Sequence, residues 1–268
     1  MMPGFPTRQS SPSEVQPGPQ RACERGHTMR RELSRIRTLL RARELDHVHQ
    51  ALEVLRAHDD PAAWREMLEG VHYSPRFADG HDDATLAGPY RGPNAVYAIT
   101  SVLAHVQPGW VGQVTRLDLR PKRGAMPVSV LGLTQLPALE QLHIHGAGPF
   151  SDMEGRFSVL HTVTVTRPVG LEHLRWLTRA PKLRHLELHH APGLDLRVPL
   201  TVEELVLEDW SIRDLTPLVA MRSLRRLELH CPAVRSLEPL ADLRLEELRL
   251  GRGAPATHGL SGVRIVRT

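Results

Sequence analysis

The chain is 268 residues long, 41% hydrophobic but only 4% aromatic, so its core must be aliphatic and layered, not a globule built around aromatic side chains. Thirty-four basic against 30 acidic residues leave a formal charge of +4, too little to mark the whole chain as a polyanion binder. Only Lys122 and Lys182 are lysines, and so strong an arginine bias fits a GC-rich bacterial coding sequence. Two cysteines, Cys23 and Cys231, cannot make a disulfide framework and lie in no CxxC or Cys/His cluster.

Residues 1–27 combine Pro, Ser, Gln, Gly and Arg with little apolar area, which predicts a disordered tail. Met29, at the head of the first patterned segment, is an alternative start. The tail has no apolar run of signal-peptide or membrane-span length, and a cytoplasmic location without membrane attachment is the expectation.

Residues 28–112 read as a helical N-terminal region and cap. Leu33, Ile36 and Leu40, then Val48, Leu52 and Leu55, fall at helical spacing on either side of a break near Glu44–Asp46. Asp60 can cap a third helix, with Pro61 in its first turn, Trp64 and Leu68 on one face and Gly70 as its stop. Residues 71–93 have the composition of a loop. Asn94 is placed to cap a helix bearing Val96, Ile99 and Leu103, whose apolar face would seal the open end of whatever stack begins at Val114.

From Val114 the chain repeats itself. VTRLDLR at 114–120 recurs as LEQLHIH at 139–145, LHTVTVT at 160–166, LRHLELH at 183–189, VEELVLE at 202–208, LRRLELH at 224–230 and LEELRLG at 245–251, with a degenerate last copy near Val263–Val266. The central residues Leu117, Leu142, Val163, Leu186, Leu205, Leu227 and Leu248 are spaced 25, 21, 23, 19, 22 and 21 residues apart. Within a copy, Leu186 and Leu188 point to one face of a strand and His185, Glu187 and His189 to the other. Between copies, apolar residues recur every third position, as in Leu171, Leu174 and Leu177, Ile212, Leu215 and Leu218, and Val234, Leu237 and Leu240, which suits a short helix or 3-10 turn.

The LxxLxL pattern over residues 113–268 resembles the leucine-rich-repeat family, and IRDLTPLVAMRSL and VRSLEPLADLRL resemble its short twenty-two-residue subclass. That resemblance implies an α/β fold: a solenoid of about seven to eight repeats, with a parallel sheet on the concave face, short helices or 3-10 turns on the convex face, and an α-helical N-terminal cap. The family usually carries Asn or Cys at the ninth repeat position as a hydrogen-bonding ladder. Here Ala147, Ala191, Trp210 and Pro232 stand there, so a less regular stack is expected, and the 19-residue interval could lack a helix.

The concave positions are almost all polar, and solenoid curvature presents such a face as a binding surface. His143, His145, His185, Glu187, His189, Glu204, Glu208, Arg226, Glu228, His230 and Arg249 are the candidate contact residues for a protein partner that the sequence does not identify. His189, Glu208 and His230, on consecutive strands, are a weaker candidate for zinc. Flat strands place the outer histidines about 10 Å apart at their backbones, and no metal or other cofactor is expected.

No GxSxG, GxxxxGK[ST], HExxH or post-strand GxGxxG motif occurs, and Cys231 beside His230 lacks an evident acid. The expectation is a non-enzymatic protein-interaction module. The rival reading is nucleic-acid or polyanion binding through Arg30, Arg31, Arg35, Arg37, Arg41 and Arg43, with nucleic acid the less expected partner.

Overall fold

In the computed structural model residues 19–268 are described, except 43, 59, 70, 76–82, 88–93, 120–129, 146–155, 169–173, 192–194, 197–200 and 258–259, and except the side chains of 19–27, 72–75, 83–87, 119 and 130–131. Two helices, α1 (Pro19–Leu40) and α2 (Leu45–His58), flank the break foreseen near Glu44. Leu33, Ile36, Leu40, Val48, Leu52 and Leu55 are all buried, so the 3.6-residue spacing identified the packed faces. The expected boundary at residue 27 falls inside α1. A helix nucleated on Leu33–Leu40 extends at low cost through Arg, Glu, Ala and Gln back to Pro19, which a first turn tolerates. Residues 1–18 lie outside the described residues.

Asp60 caps α3 (Pro61–Met67) by accepting the Ala62 N–H at 2.8 Å. Trp64, Met67 and Leu68 are buried beneath it, and the Gly70 stop lies outside the described residues. Arg37 ties α1 to α3, donating to the Glu66 carbonyl at 2.9 Å and to the Glu69 carboxylate at 3.1 Å.

The stretch expected as a loop contains two strands, β1 (His72–Pro75) and β2 (Asp83–Ala87), paired antiparallel. β2 in turn pairs in parallel with β3 (Arg116–Leu119). The segments HYSP and DATLA are only four and five residues long, too short for their alternation to mark a strand within a loop-like composition. The backbone edge of β3 pairs with β2, and β2 in turn with β1, which makes them strands by tertiary contact.

That hairpin also corrects the assignment of the cap. The helix α4 (Ala95–Val106) does not close the sheet edge; it packs against the convex 3-10 turn η1 (Val130–Gln135). Thr100 Oγ1 donates to the Gly132 carbonyl at 3.0 Å, and Gln135 Nε2 donates to Ser101 Oγ at 2.8 Å. Any Cβ at Gly132 would collide with the backbone of Val96 and Tyr97, so glycine sets how closely the two elements approach. Asn94 occupies the N-cap position, but its side chain makes no capping hydrogen bond. A short helix α5 (Pro108–Val111) with buried Trp110 then leads into β3.

The repeats build the rest. Strands β3, β4 (Gln141–His145), β5 (Thr162–Thr166), β6 (His185–His189), β7 (Glu204–Glu208), β8 (Arg226–His230), β9 (Glu247–Leu250) and β10 (Arg264–Arg267) pair in sequential order, all parallel. Leu117, Leu142, Val163, Leu186, Leu205, Leu227 and Leu248 stand directly opposite one another. Each is at most 1% exposed, contributing about 1.5–3 kcal/mol by burial.

Behind the sheet run the 3-10 turns η2 (Arg175–Arg179), η3 (Thr216–Ala220) and η4 (Glu238–Asp242). The i, i+3 leucines seen in the sequence bond each other: the amides of Leu177, Leu218 and Leu240 donate to the carbonyls of Leu174, Leu215 and Leu237, each at 2.9 Å. Three residues per turn is the period of this helix type. Between β6 and β7, across the 19-residue interval, the described residues contain no helix. One continuous apolar core runs from Leu33 in α1 to Leu250 in β9.

At the ladder position the structure shifts the expectation by one residue. Asp209 and Cys231, one before Trp210 and Pro232, are the buried ones. Cys231 Sγ donates to the Leu207 carbonyl at 3.5 Å, and Asp209 Oδ1 accepts from the Ser211 amide at 2.6 Å. Ala191 is buried in its own repeat; Ala147 lies outside the described residues.

Candidate functional site: the concave sheet face

In-register strands turn the alternating side chains of each repeat into rows across the sheet. The first row reads Arg116, Gln141, Thr162, His185, Glu204, Arg226, Glu247 and Arg264, and the second Asp118, His143, Thr164, Glu187, Val206, Glu228 and Arg249. The third holds His145, Thr166, His189, Glu208 and His230. All eleven candidate contact residues therefore share one face, and the burial pattern along β4, β6 and β7 alternates strictly between core and half-exposed.

A hydrogen-bonded network crosses β5 to β8. Glu187 is its centre: it meets His185 Nε2 at 2.8 Å and His189 Nε2 at 3.5 Å, and accepts from Thr164 Oγ1 at 3.1 Å. These contacts, His185 first, hold the Glu187 carboxyl far below the usual carboxylate range. His189 reaches across to Glu208 at 2.8 Å. Its imidazole is shifted upward, by Glu187 first and also by Glu208, against the opposing effect of burial. Glu208 is shifted down, chiefly by His189.

At the C-terminal side the pairing is between carboxylates and arginines. Glu204 is paired with Arg226 and with His185, the latter at 3.1 Å. Arg249 Nε donates to Glu247 at 2.6 Å, and Arg264 pairs with the other Glu247 oxygen. His145 lies 3.5 Å from Asp118, while His143 stands between Asp118 and Thr164 in the second row.

The row suggested for a metal is not assembled as one. His189 and Glu208 meet, but the His230 ring turns to Glu228 on its own strand at 2.7 Å. Among the described residues no group of three His, Cys, Asp or Glu side chains has the geometry to hold a metal ion. Cys231 is buried, and burial pushes its thiol up to about 11, the opposite of what a nucleophile needs. Of the arginines on α1, Arg37 is engaged with Glu66 and Glu69, whereas Arg30, Arg31 and Arg35 are exposed and Arg43 lies outside the described residues.

Two features escaped the sequence reading. His190, one residue past β6, has left-handed backbone (φ 52°) and brings its ring within 3.5 Å of Glu208. Trp210, at the ladder position of its repeat in place of Asn or Cys, is 73% exposed. Along β7 and beyond, half-exposed Val206 and Glu208 alternate with buried Leu207 and Asp209, and Trp210 continues the exposed series. The alternating string VLEDW carried this signal. Beside this column a depression of about 250 Å³ opens over Val206, walled by His185, Glu187, Glu204, Arg226, Glu228, Glu247 and Arg249.

No protein-family model matches the chain, and no curated protein matches it in sequence. Among solved structures, one similar to it is internalin C2 from Listeria monocytogenes, 17% identical, covering 53% of this chain and 67% of that one with a TM-score of 0.33. No described helix is long and apolar enough to cross a membrane. The repeat spacing, the in-register parallel ladder and the leucine-bonded convex turns together make residues 114–268 a leucine-rich-repeat solenoid.

Proposed function

We propose that the chain is a non-enzymatic recognition module, acting in the cytoplasm, that binds a protein partner through the concave face of its solenoid. The observation that carries this reading is the face itself: two side-chain rows over β3 to β9 and a third over β4 to β8, polar with the exception of Val206. Side chains held by mutual hydrogen bonds, as Glu187, His185 and His189 are, lose little freedom on binding, which lowers the cost of association. A buried, high-pKa Cys231 and a His230 engaged by Glu228 leave the Cys231–His230 neighbourhood unsuited to catalysis.

The experiment is affinity capture from the native host with the full chain and with Glu187→Arg/Glu208→Arg. Loss of a specific protein in the variant supports the reading. Equal capture by both chains, or recovery of nucleic acid that releases steeply with salt, refutes it in favour of the exposed arginines of α1.

A further inference from the structure

The columns of the concave face differ in one respect. β6 presents His185, Glu187 and His189, and β8 presents Arg226, Glu228 and His230, whereas β7 alternates acid with apolar: Glu204, Val206, Glu208 and then Trp210. A valine between two glutamates leaves the depression over its methyl groups. Two residues past the end of β7, Trp210 is 73% exposed; an indole so exposed is costly to solvate and is a side chain often used as an interface anchor.

We propose that the β7 column is the docking axis for a cationic extended segment of a partner protein, whose arginine or lysine side chains lay their stems on Val206 and Trp210 and carry their charges to Glu204 and Glu208. This rests on the concave-face reading above and specifies the partner's chemistry. Long basic side chains combine the two properties the column asks for, an apolar stem and a cationic head, and a guanidinium also stacks on an indole face. Charge agrees. The β6–β8 part of the three rows carries Glu187, Glu204, Glu208 and Glu228 against one arginine, Arg226, and three imidazoles, His185, His189 and His230, that pair with those carboxylates, so with the imidazoles neutral it is acidic, on a chain whose overall charge is +4. This patch therefore has the sign opposite to the molecule that bears it, and would select a basic segment which the rest of the surface repels. From Glu204 to Glu208 is about 13 Å of strand, enough for a segment of four or so extended residues, with Trp210 two residues beyond.

The test titrates the full chain with two fluorescein-labelled nonapeptides, one alternating Arg with Gly and one alternating Glu with Gly, read by anisotropy at about 0.1 M salt. The arginine peptide is expected to bind and the glutamate peptide not to. Trp210→Ala, at an exposed position that leaves folding intact, and Val206→Arg, which fills the depression with a like charge, are each expected to weaken binding about tenfold or more, while Arg222→Ala on the far side leaves it unchanged. Thermal melts confirm that each variant is folded. Preference for the glutamate peptide, absence of binding by either, or arginine-peptide binding insensitive to Trp210→Ala and Val206→Arg overturns the proposal. If a host protein is nonetheless lost with Glu187→Arg/Glu208→Arg, the concave-face reading survives and only the cationic axis falls; if capture is equal as well, both fall.

Discussion

Glu187 shows how a single residue can couple a solvent-facing sheet to pH. His189 is shifted upward by Glu187 and Glu208, so its contribution to stability is complete below its ordinary value of 6.5 and is lost as the pH rises through its higher folded value. Glu187 and Glu208 are shifted down, so theirs is present above about pH 4.3 and is lost only on acidification through their lower folded values. Both contributions coexist from about pH 5 to 6. Chemical denaturation should therefore show the wild-type chain losing stability between pH 6 and 8 relative to His189→Gln, in which the His189 titration is absent. At pH 6 that substitution should cost about 1–2 kcal/mol, as expected for a hydrogen bond to a charged group; a flat difference across this range would show that the Glu187–His189–Glu208 contacts do not persist in solution. Cys231 gives a second test at the same scale. With its thiol buried and pushed up to about 11, alkylation by iodoacetamide at pH 8 should be far slower in the folded chain than in denaturant.

At the scale of elements, the contact between α4 and η1 depends on the missing side chain of Gly132. Its Cβ would meet backbone, which cannot swing aside, so Gly132→Ala should separate the two elements and cost several kcal/mol, measured as a lowered urea midpoint. Leu205, 1% exposed on the core side of β7, is the corresponding position in the sheet: Leu205→Ala should cost about 2–5 kcal/mol. Because each repeat is stabilised by its neighbours, hydrogen-exchange protection should fall in β6 and β8 as well as in β7. Legibility in the sequence also differed from element to element. The strands from β3 on and the turns η2 to η4 were readable because their apolar spacing, two and three residues, is the geometry of the element itself. The hairpin β1–β2 was not, since its strands form only where β3 offers an edge. The Glu187 network was half legible: the register placed its members on one face, but which imidazole turned to which carboxylate depended on rotamers that no spacing encodes.

For the whole molecule, the shared core from Leu33 to Leu250 means that the N-terminal helices and the repeats should unfold together. A chain beginning at residue 113 would lose the β2 strand that pairs with β3 and the α4 helix that covers η1. It is expected to lose its cooperative melting transition or to aggregate, since terminal repeats need sealing elements; a sharp melt of the truncated chain at the full-length temperature would contradict this.

What the amino-acid sequence determined on its own was the repeat, its register and the identity of the concave face, because a leucine every second residue within copies and a copy every 19 to 25 residues leave only one way to bury every leucine at once. Tertiary structure alone decided the rest. It placed a hairpin, not a helix, at the sheet edge, moved the buried ladder residues to Asp209 and Cys231, and turned the His230 ring to Glu228. These choices depend on which partner a backbone edge or a polar side chain finds once the stack has formed, and neither edge pairing nor a rotamer is encoded in the spacing of apolar residues.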